Sequence, residues 1–234
     1  MSVLWLTRPL ADSEAMQHAL KARGIASIVA PVMEIVPCDY QLPANAPTSI
    51  LLTSRYGAAA LPDHWRDCPL YAVGEATANS ARAKGYKNIT TGDGSALDLL
   101  PAIVIAGHDV LHLCGEDIKI DLAPLLAVKG ITLSRLVTYQ ATAVAALAPI
   151  IAHALRNGDV SGLVLYSPRA ATIAHDLLKQ ADCLKYMAHI DGYCLSLEIA
   201  GAAGILGCKR LHACPLPTQQ AMMELLSAPA ISAP

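Results

Sequence analysis

The chain has 234 residues, of which 54% are hydrophobic and only 4% aromatic, with no phenylalanine and a formal net charge of −2. That is apolar material for one large domain or two small ones, and the charges are scattered, which excludes the basic face that displaces counterions from nucleic acid. No apolar run reaches the roughly 18 residues of a membrane span, and seven cysteines without a Cys-x-x-Cys pair argue against a disulfide frame or structural zinc.

The expectation is a cytoplasmic protein with reduced thiols. Its opening residues read as a strand and not as a leader: Val3 to Leu6 is apolar throughout, as a strand buried on both faces should be, and ends in Thr7-Arg8-Pro9. Asp12 or Ser13 is expected to cap a helix that stops at Gly24. Ile25 to Ala30 completes a β-α-β unit with parallel strands. Pro31 to Cys38 is different, a short β-branched segment bracketed by prolines that resist helix continuation.

After a loop at Tyr40 to Pro47, Ser49 to Thr53 is the next buried strand, followed by Ser54-Arg55 and a short Ala-rich helix. Leu70 to Val73 leads through Gly74-Glu75-Ala76-Thr77 into a helix ending at Gly85. Asn88 to Thr91 is a weaker strand, and Ser95, with Asp98 three residues on, opens a helix that Pro101 should kink or shorten. Val110 to Leu113 closes on Cys114-Gly115-Glu116-Asp117, and a helix covers about Leu122 to Lys129, with Pro124 in its first turn. Ile131 onward is a strand running into Arg135 to Thr142, which does not open straight into a helix and carries Tyr139.

The remainder repeats the scheme. A helix is expected from about Ala145 to Arg156, a strand from Leu163 to Tyr166, and a helix opened by Ser167-Pro168-Arg169. Then come a strand near His189 to Leu195, an Ala/Gly-rich helix to Gly207, a strand at Leu211 to Cys214, a helix from Pro217-Thr218 to about Ser227, and a frayed tail from Ala228. The pattern predicts two similar parallel α/β lobes, the first interrupted by the second. Their bounds are 1–31 with 143–234 for one lobe, 47–134 for the other, and 32–46 and 135–142 for the connecting segments.

In open parallel sheets a ligand lies outside the carboxyl ends of the strands. Those ends carry Arg8, Thr53, Ser54, Arg55, Gly74, Thr77, Gly115, Ser167, Arg169 and Ser196. Small hydroxyl residues and glycine let an anion reach first-turn backbone N–H groups, which the helix dipole favours; for any one of them, simple capping is the plainer role. Gly92 to Leu97 reads as a turn, since Leu97 stands where a dinucleotide fingerprint needs a small residue. His108, His112, Cys114, Glu116 and Asp117 crowd like metal ligands, but His112 lies in an apolar strand and reads as a core histidine. Tyr139 alone would be a packing residue; its phenol, protonated near neutrality with a reference pKa of about 10, can also donate a proton.

The ordered set Val3-Leu4-Trp5-Leu6, Leu51-Leu52-Thr53-Ser54-Arg55, Tyr71-Ala72-Val73-Gly74-Glu75-Ala76-Thr77, Leu113-Cys114-Gly115, Val137-Thr138-Tyr139-Gln140, Tyr166-Ser167-Pro168-Arg169-Ala170 and Pro217-Thr218 resembles the uroporphyrinogen-III synthases. The resemblance implies two lobes joined by a two-stranded ladder. It also implies cofactor-free closure of hydroxymethylbilane, a linear tetrapyrrole with eight carboxylates, to uroporphyrinogen III, with ring D inverted and water lost. It makes Tyr139 the residue that assists loss of the hydroxyl and puts Thr53, Ser54, Gly74, Thr77, Gly115 and Ser167 near the cleft. The preceding deaminase is the one protein partner it suggests, and a monomer is the expected state. The sequence departs from some members at Leu195-Ser196-Leu197-Glu198. The competing reading is a non-catalytic bilobal binder of a small anionic ligand; a sugar-phosphate isomerase would need a paired carboxylate or histidine base that the sequence does not offer.

Overall fold

A computed structural model describes residues 3–227; the tail from Ala228 lies outside the described residues. The chain forms two compact units, one comprising residues up to Glu34 together with those from Thr142 on, the other Ile35–Ala141.

In the first unit, strand β1 (Val3–Leu6) leads to helix α1 (Leu10–Lys21) and strand β2 (Ser27–Val29). The later part adds α5 (Pro149–Arg156), β9 (Val160–Leu165), α6 (Pro168–Gln180), β10 (Asp191–Cys194), α7 (Leu197–Ala203), β11 (Arg210–Ala213) and α8 (Gln219–Ser227). The sheet order is β11-β10-β9-β1-β2, and every pairing is parallel. β1 lies between β9 and β2 in a parallel sheet, and such strands are apolar on both faces; Leu4, Trp5 and Leu6 are all buried, and the Trp5 indole satisfies its donor on the Ala30 carbonyl at 2.7 Å.

The second unit contains β4 (Ile50–Leu52), β5 (Leu70–Ala72), α2 (Glu75–Ala83), β6 (Ile89–Thr91), α3 (Leu100–Ala106), β7 (Val110–Gly115) and α4 (Ala123–Ala127). With β3 (Met33–Pro37) and β8 (Leu133–Ala143) these strands make a six-stranded sheet in the order β3-β8-β7-β4-β5-β6. Alternate residues feed two cores: Ile50, Leu52, Leu111 and Leu113 pack with Trp65 and Tyr86, while Leu51, Tyr71 and Val110 pack with Leu99, Ile103 and Leu126. Burying both faces explains why the strands read as unbroken apolar runs.

The two segments flagged by their proline brackets and missing helices are β3 and β8. Cys38 donates to the Thr138 carbonyl and Val144 to the Val32 carbonyl, both at 3.1 Å, so the two strands run antiparallel. The chain passes between units only in these strands, at residues 34/35 and 141/142.

Several expected elements differ in detail. Helix α1 begins at Leu10 after Pro9 with no side-chain cap, because Asp12 and Ser13 are bound to Arg8, Asp12 through its carboxylate and Ser13 through its hydroxyl. The Ala-rich stretch after Ser54 is a 3₁₀ turn, Arg55–Ala60, and not an α-helix. A Cβ on Gly57 would stand 2.6 Å from the Leu113 carbonyl, so this turn rides directly on β7. The expected Ser95–Asp98 capping box forms, but Pro101 initiates α3 instead of shortening a helix. Residues 145–148 are not helical, since β8 runs to Ala143, Val144 still pairs with Val32, and Pro149 sets the first turn of α5.

Candidate active site

In the second unit the end of β7 meets the interior of β8 and brings Gly115 and Tyr139 together. Cys114 pairs with Val137 but Gly115 with Tyr139, so β8 holds one extra residue, Thr138. Such a bulge re-aims the side chain that follows it. Thr138 is buried and its hydroxyl reaches the Cys114 carbonyl at 3.4 Å, while the Glu116 N–H donates to the Tyr139 carbonyl at 3.0 Å. The phenol ring then lies over Gly115: a Cβ there would be 2.7 Å from the ring edge and 3.1 Å from the hydroxyl oxygen. Tyr56, in the 3₁₀ turn, covers the ring from another side, with centroids 5.8 Å apart and planes tilted by 58°. Tyr139 is therefore half-buried and fixed in place.

The neighbouring strand end carries Thr53, whose hydroxyl is 2.9 Å from Nε2 of His112. His112 is 3% exposed, and burial first, then the Arg135 guanidinium, pull its pKa down to about 4 against the opposing Asp121 carboxylate. The imidazole is neutral at pH 7 and holds Thr53 by one hydrogen bond. That agrees with the core-histidine reading, and no cluster of metal-binding side chains occurs among the described residues. Ser54 is extended and accepts from the Tyr56 N–H at 3.4 Å, and Arg55 follows, half-buried. Gly74 is the N-cap of α2, with no side chain bound to the first turn. Thr77 is 7% exposed, in the first turn of α2, and its N–H donates to the Gly74 carbonyl at 3.0 Å.

In the first unit Arg8 follows β1 and its guanidinium sits over Tyr166, with Cζ 4.3 Å from the ring centroid; Tyr166 follows β9, the partner of β1. Ser167 caps α6 by accepting from the Ala170 N–H at 3.1 Å, and Ser196 caps α7 by accepting from Ile199 at 3.3 Å. Thr218 does the same for α8 through Ala221. Arg169 and Glu198 are exposed in the first turns of their helices.

The sequence match lies over the same elements. Residues 14–224 match the model of the family described as uroporphyrinogen-III synthase HemD. The chain belongs to the uroporphyrinogen-III synthase family. Members of this family are cyclising lyases of haem biosynthesis. A crystal structure of uroporphyrinogen-III synthetase from Helicobacter pylori superposes with a TM-score of 0.63 at 16% identity, covering 96% of this chain and 97% of that one. One of a mutant uroporphyrinogen III synthase from the extremely thermophilic bacterium Thermus thermophilus gives 0.49 at 15% identity, covering 97% and 96%. No curated protein sequence matches the chain. The first superposition shows that this chain has the α/β fold of that synthetase, and among the described residues no helix is long and apolar enough to cross a membrane.

Within this synthase-family chain, sequence reading singles out Gly115 and Tyr139, which do come together, but misses Tyr56, the partnership of His112 with Thr53, and the partnership of Tyr166 with Arg8. Tyr56 follows the strand-end pair Ser54-Arg55 in a chain poor in aromatic residues, and that scarcity was the available signal. The other two pairings join residues 59 and 158 positions apart, and no local pattern encodes them.

Proposed function

We propose that this chain closes hydroxymethylbilane to uroporphyrinogen III, inverting ring D and releasing water without a cofactor. The family match over residues 14–224 carries this reading. Tyr139 is the general acid: its hydroxyl protonates the departing hydroxyl group, which leaves as water, and the azafulvene cation is attacked by the substituted α-carbon of ring D; the spiro intermediate breaks the original bond to that carbon and recloses at the other α-carbon, and the proton released on closure restores the Tyr139 phenol. The contact of the phenol with Gly115 and Tyr56 supports this role, because a proton donor must be held in one orientation.

The substrate's carboxylates are received by Arg8, Ser167, Arg169 and Ser196 in one unit and by Thr53, Ser54, Arg55, Gly74, Thr77 and Gly115 in the other. Backbone donors and short side chains suit a flexible polyanion, since few long side chains must then be immobilised. Residues 1–31 with 143–234 and residues 47–134 act as the two lobes of the enzyme, with 32–46 and 135–142 as connecting segments. The same reading makes the protein a cytoplasmic monomer that takes its substrate from the preceding deaminase.

Incubation with hydroxymethylbilane should give isomer III, separated chromatographically from the isomer I that forms spontaneously; isomer I alone ends the proposal. Tyr139→Phe should slow turnover by about a hundredfold, the lower range for loss of a positioned general acid, with product affinity nearly unchanged. An unaltered rate would return Tyr139 to a packing role.

A further inference from the structure

At the end of β1 four side chains form an assembly that simple capping does not explain. The backbone around Arg8 is pinned on both sides: the Thr7 hydroxyl donates to the Val164 carbonyl at 2.6 Å, the Val32 N–H donates to the Thr7 carbonyl at 3.1 Å, and the buried Ser13 hydroxyl donates to the Arg8 carbonyl at 2.7 Å. The guanidinium is fixed next. One edge meets the Asp12 carboxylate at 3.0 Å, and one face covers the Tyr166 ring at 4.3 Å. The ring is itself anchored, because its hydroxyl donates to Oε1 of Gln219 at 2.6 Å, with the Met16 sulfur 3.8 Å away. Burial, ahead of the neighbouring charges, pushes the Tyr166 phenol up to about 12, so it serves as a neutral donor.

A long arginine normally loses much rotamer freedom when it grips an anion. Here that loss is taken before any ligand arrives, and the Arg8 side chain remains 29% exposed. A planar guanidinium with one edge engaged by Asp12 still has donors to offer a carboxylate in a two-bond fork. Asp12 also offsets the positive charge, so an isolated small anion gains little from Arg8, whereas one carboxylate of a multiply anchored ligand gains a correctly oriented donor pair.

We propose that Tyr166 is a positioning residue that holds Arg8 as a preorganised receptor for one carboxylate of the tetrapyrrole, with Gln219 fixing the ring. The inference deepens the functional reading above and rests on it. Tyr166 touches no reacting atom; it acts through Arg8.

The test is steady-state kinetics on hydroxymethylbilane with the full chain carrying Y166F, Y166L, R8K and the double variant R8K/Y166L. Losing the stacked face should raise KM in Y166L about tenfold, the scale of a partly desolvated cation–π contact, with kcat within about twofold. Y166F keeps the face and loses the hydroxyl's bond to Gln219 with its weaker contacts to Met16 and Arg8, so its KM should rise by about threefold. The double variant should be no worse than the weaker single variant, because both remove the same oriented guanidinium. Equal KM for Y166L and wild type, or multiplying effects in the double variant, overturns the proposal. Should Y166L fail to fold, Gln219→Leu at the exposed start of α8 replaces it, with an expected rise in KM of about threefold; no rise overturns the proposal. Wild-type protein that yields only isomer I sinks the functional reading and this inference together. Isomer III from wild type with unchanged KM in the variants sinks this inference alone.

Discussion

The two units use one plan, a parallel sheet with small polar residues at its strand ends, but they spend those residues differently. In the first unit Ser167, Ser196 and Thr218 each accept a hydrogen bond from the N–H three residues on, so Ser167 and Ser196, read as ligand donors, serve first as helix caps. In the second unit Gly74 caps α2 with no side chain at all, Thr53 is engaged by a buried histidine, and the turn after β4 is 3₁₀. The first unit thus holds Arg8 on Tyr166 beside three helix starts capped by hydroxyls, while the second holds the Tyr139 phenol against Gly115 and starts α2 without a side-chain cap.

The sharpest way to break this contrast is at Gly115. Gly115→Ala puts a methyl group 2.7 Å from the Tyr139 ring edge; the phenol must move by a sizeable fraction of an ångström, and isomer III formation should fall about a hundredfold. The fall should appear in the single-turnover rate constant, with a loss of about 1–3 kcal/mol in denaturant unfolding from overpacking. A normal rate would mean that the phenol's placement on Gly115 is immaterial to turnover.

Next in size is the pH dependence set by His112. Its pKa is about 4 in the folded chain and about 6.5 when unfolded, so below pH 6.5 the unfolded state binds a proton that the folded state refuses. Stability should therefore fall as pH drops from 6.5 to 4, by on the order of 3 kcal/mol, and level off below. His112→Leu should remove that slope from denaturant titrations at a series of pH values; an unchanged slope would show that the carboxylates set it.

The caps give the smaller effects. Ser167→Ala should lower stability by about 1 kcal/mol, since α6 loses an N-cap, with a matching drop in melting temperature. Gly74→Ser works in the opposite sense: a Cβ there meets only the Gly94 Cα at 4.0 Å, and the new hydroxyl should occupy the first turn of α2, stabilising the fold by a few tenths of a kcal/mol (~0.3). If that turn receives a carboxylate, KM for the bilane should rise by about threefold, and a KM unaffected by the new cap would remove Gly74 from the substrate's contacts.

Strands buried on both faces were legible because their composition has no alternative: Ile50 to Leu52 and Val110 to Leu113 contain scarcely a residue that water could satisfy. Ser95 and Ser167 were legible as caps because capping is local. The start of α1 was not, because Asp12 and Ser13 answer to Arg8 and leave the helix to begin after Pro9. The 3₁₀ turn at Arg55–Ala60 was not, because its tightness follows from Gly57 pressing on Leu113, a contact between residues far apart in sequence. The candidate site follows the same division. Tyr139 could be singled out from its strand, but the bulge that aims it and the partners that hold Tyr139, Thr53 and Arg8 come from other strands and turns.

The chain's double passage through β3 and β8 also orders events at the ribosome. The unit from Ile35 to Ala141 is complete in sequence before β9 exists, whereas β1, made first, must wait for Val160 to Leu165 to pair its other edge. Until then Leu4, Trp5 and Leu6 have only β2 beside them, and the interval is set by the length of the inserted unit. The insertion thus makes a strand synthesised before the inserted unit gain its second neighbour only after it.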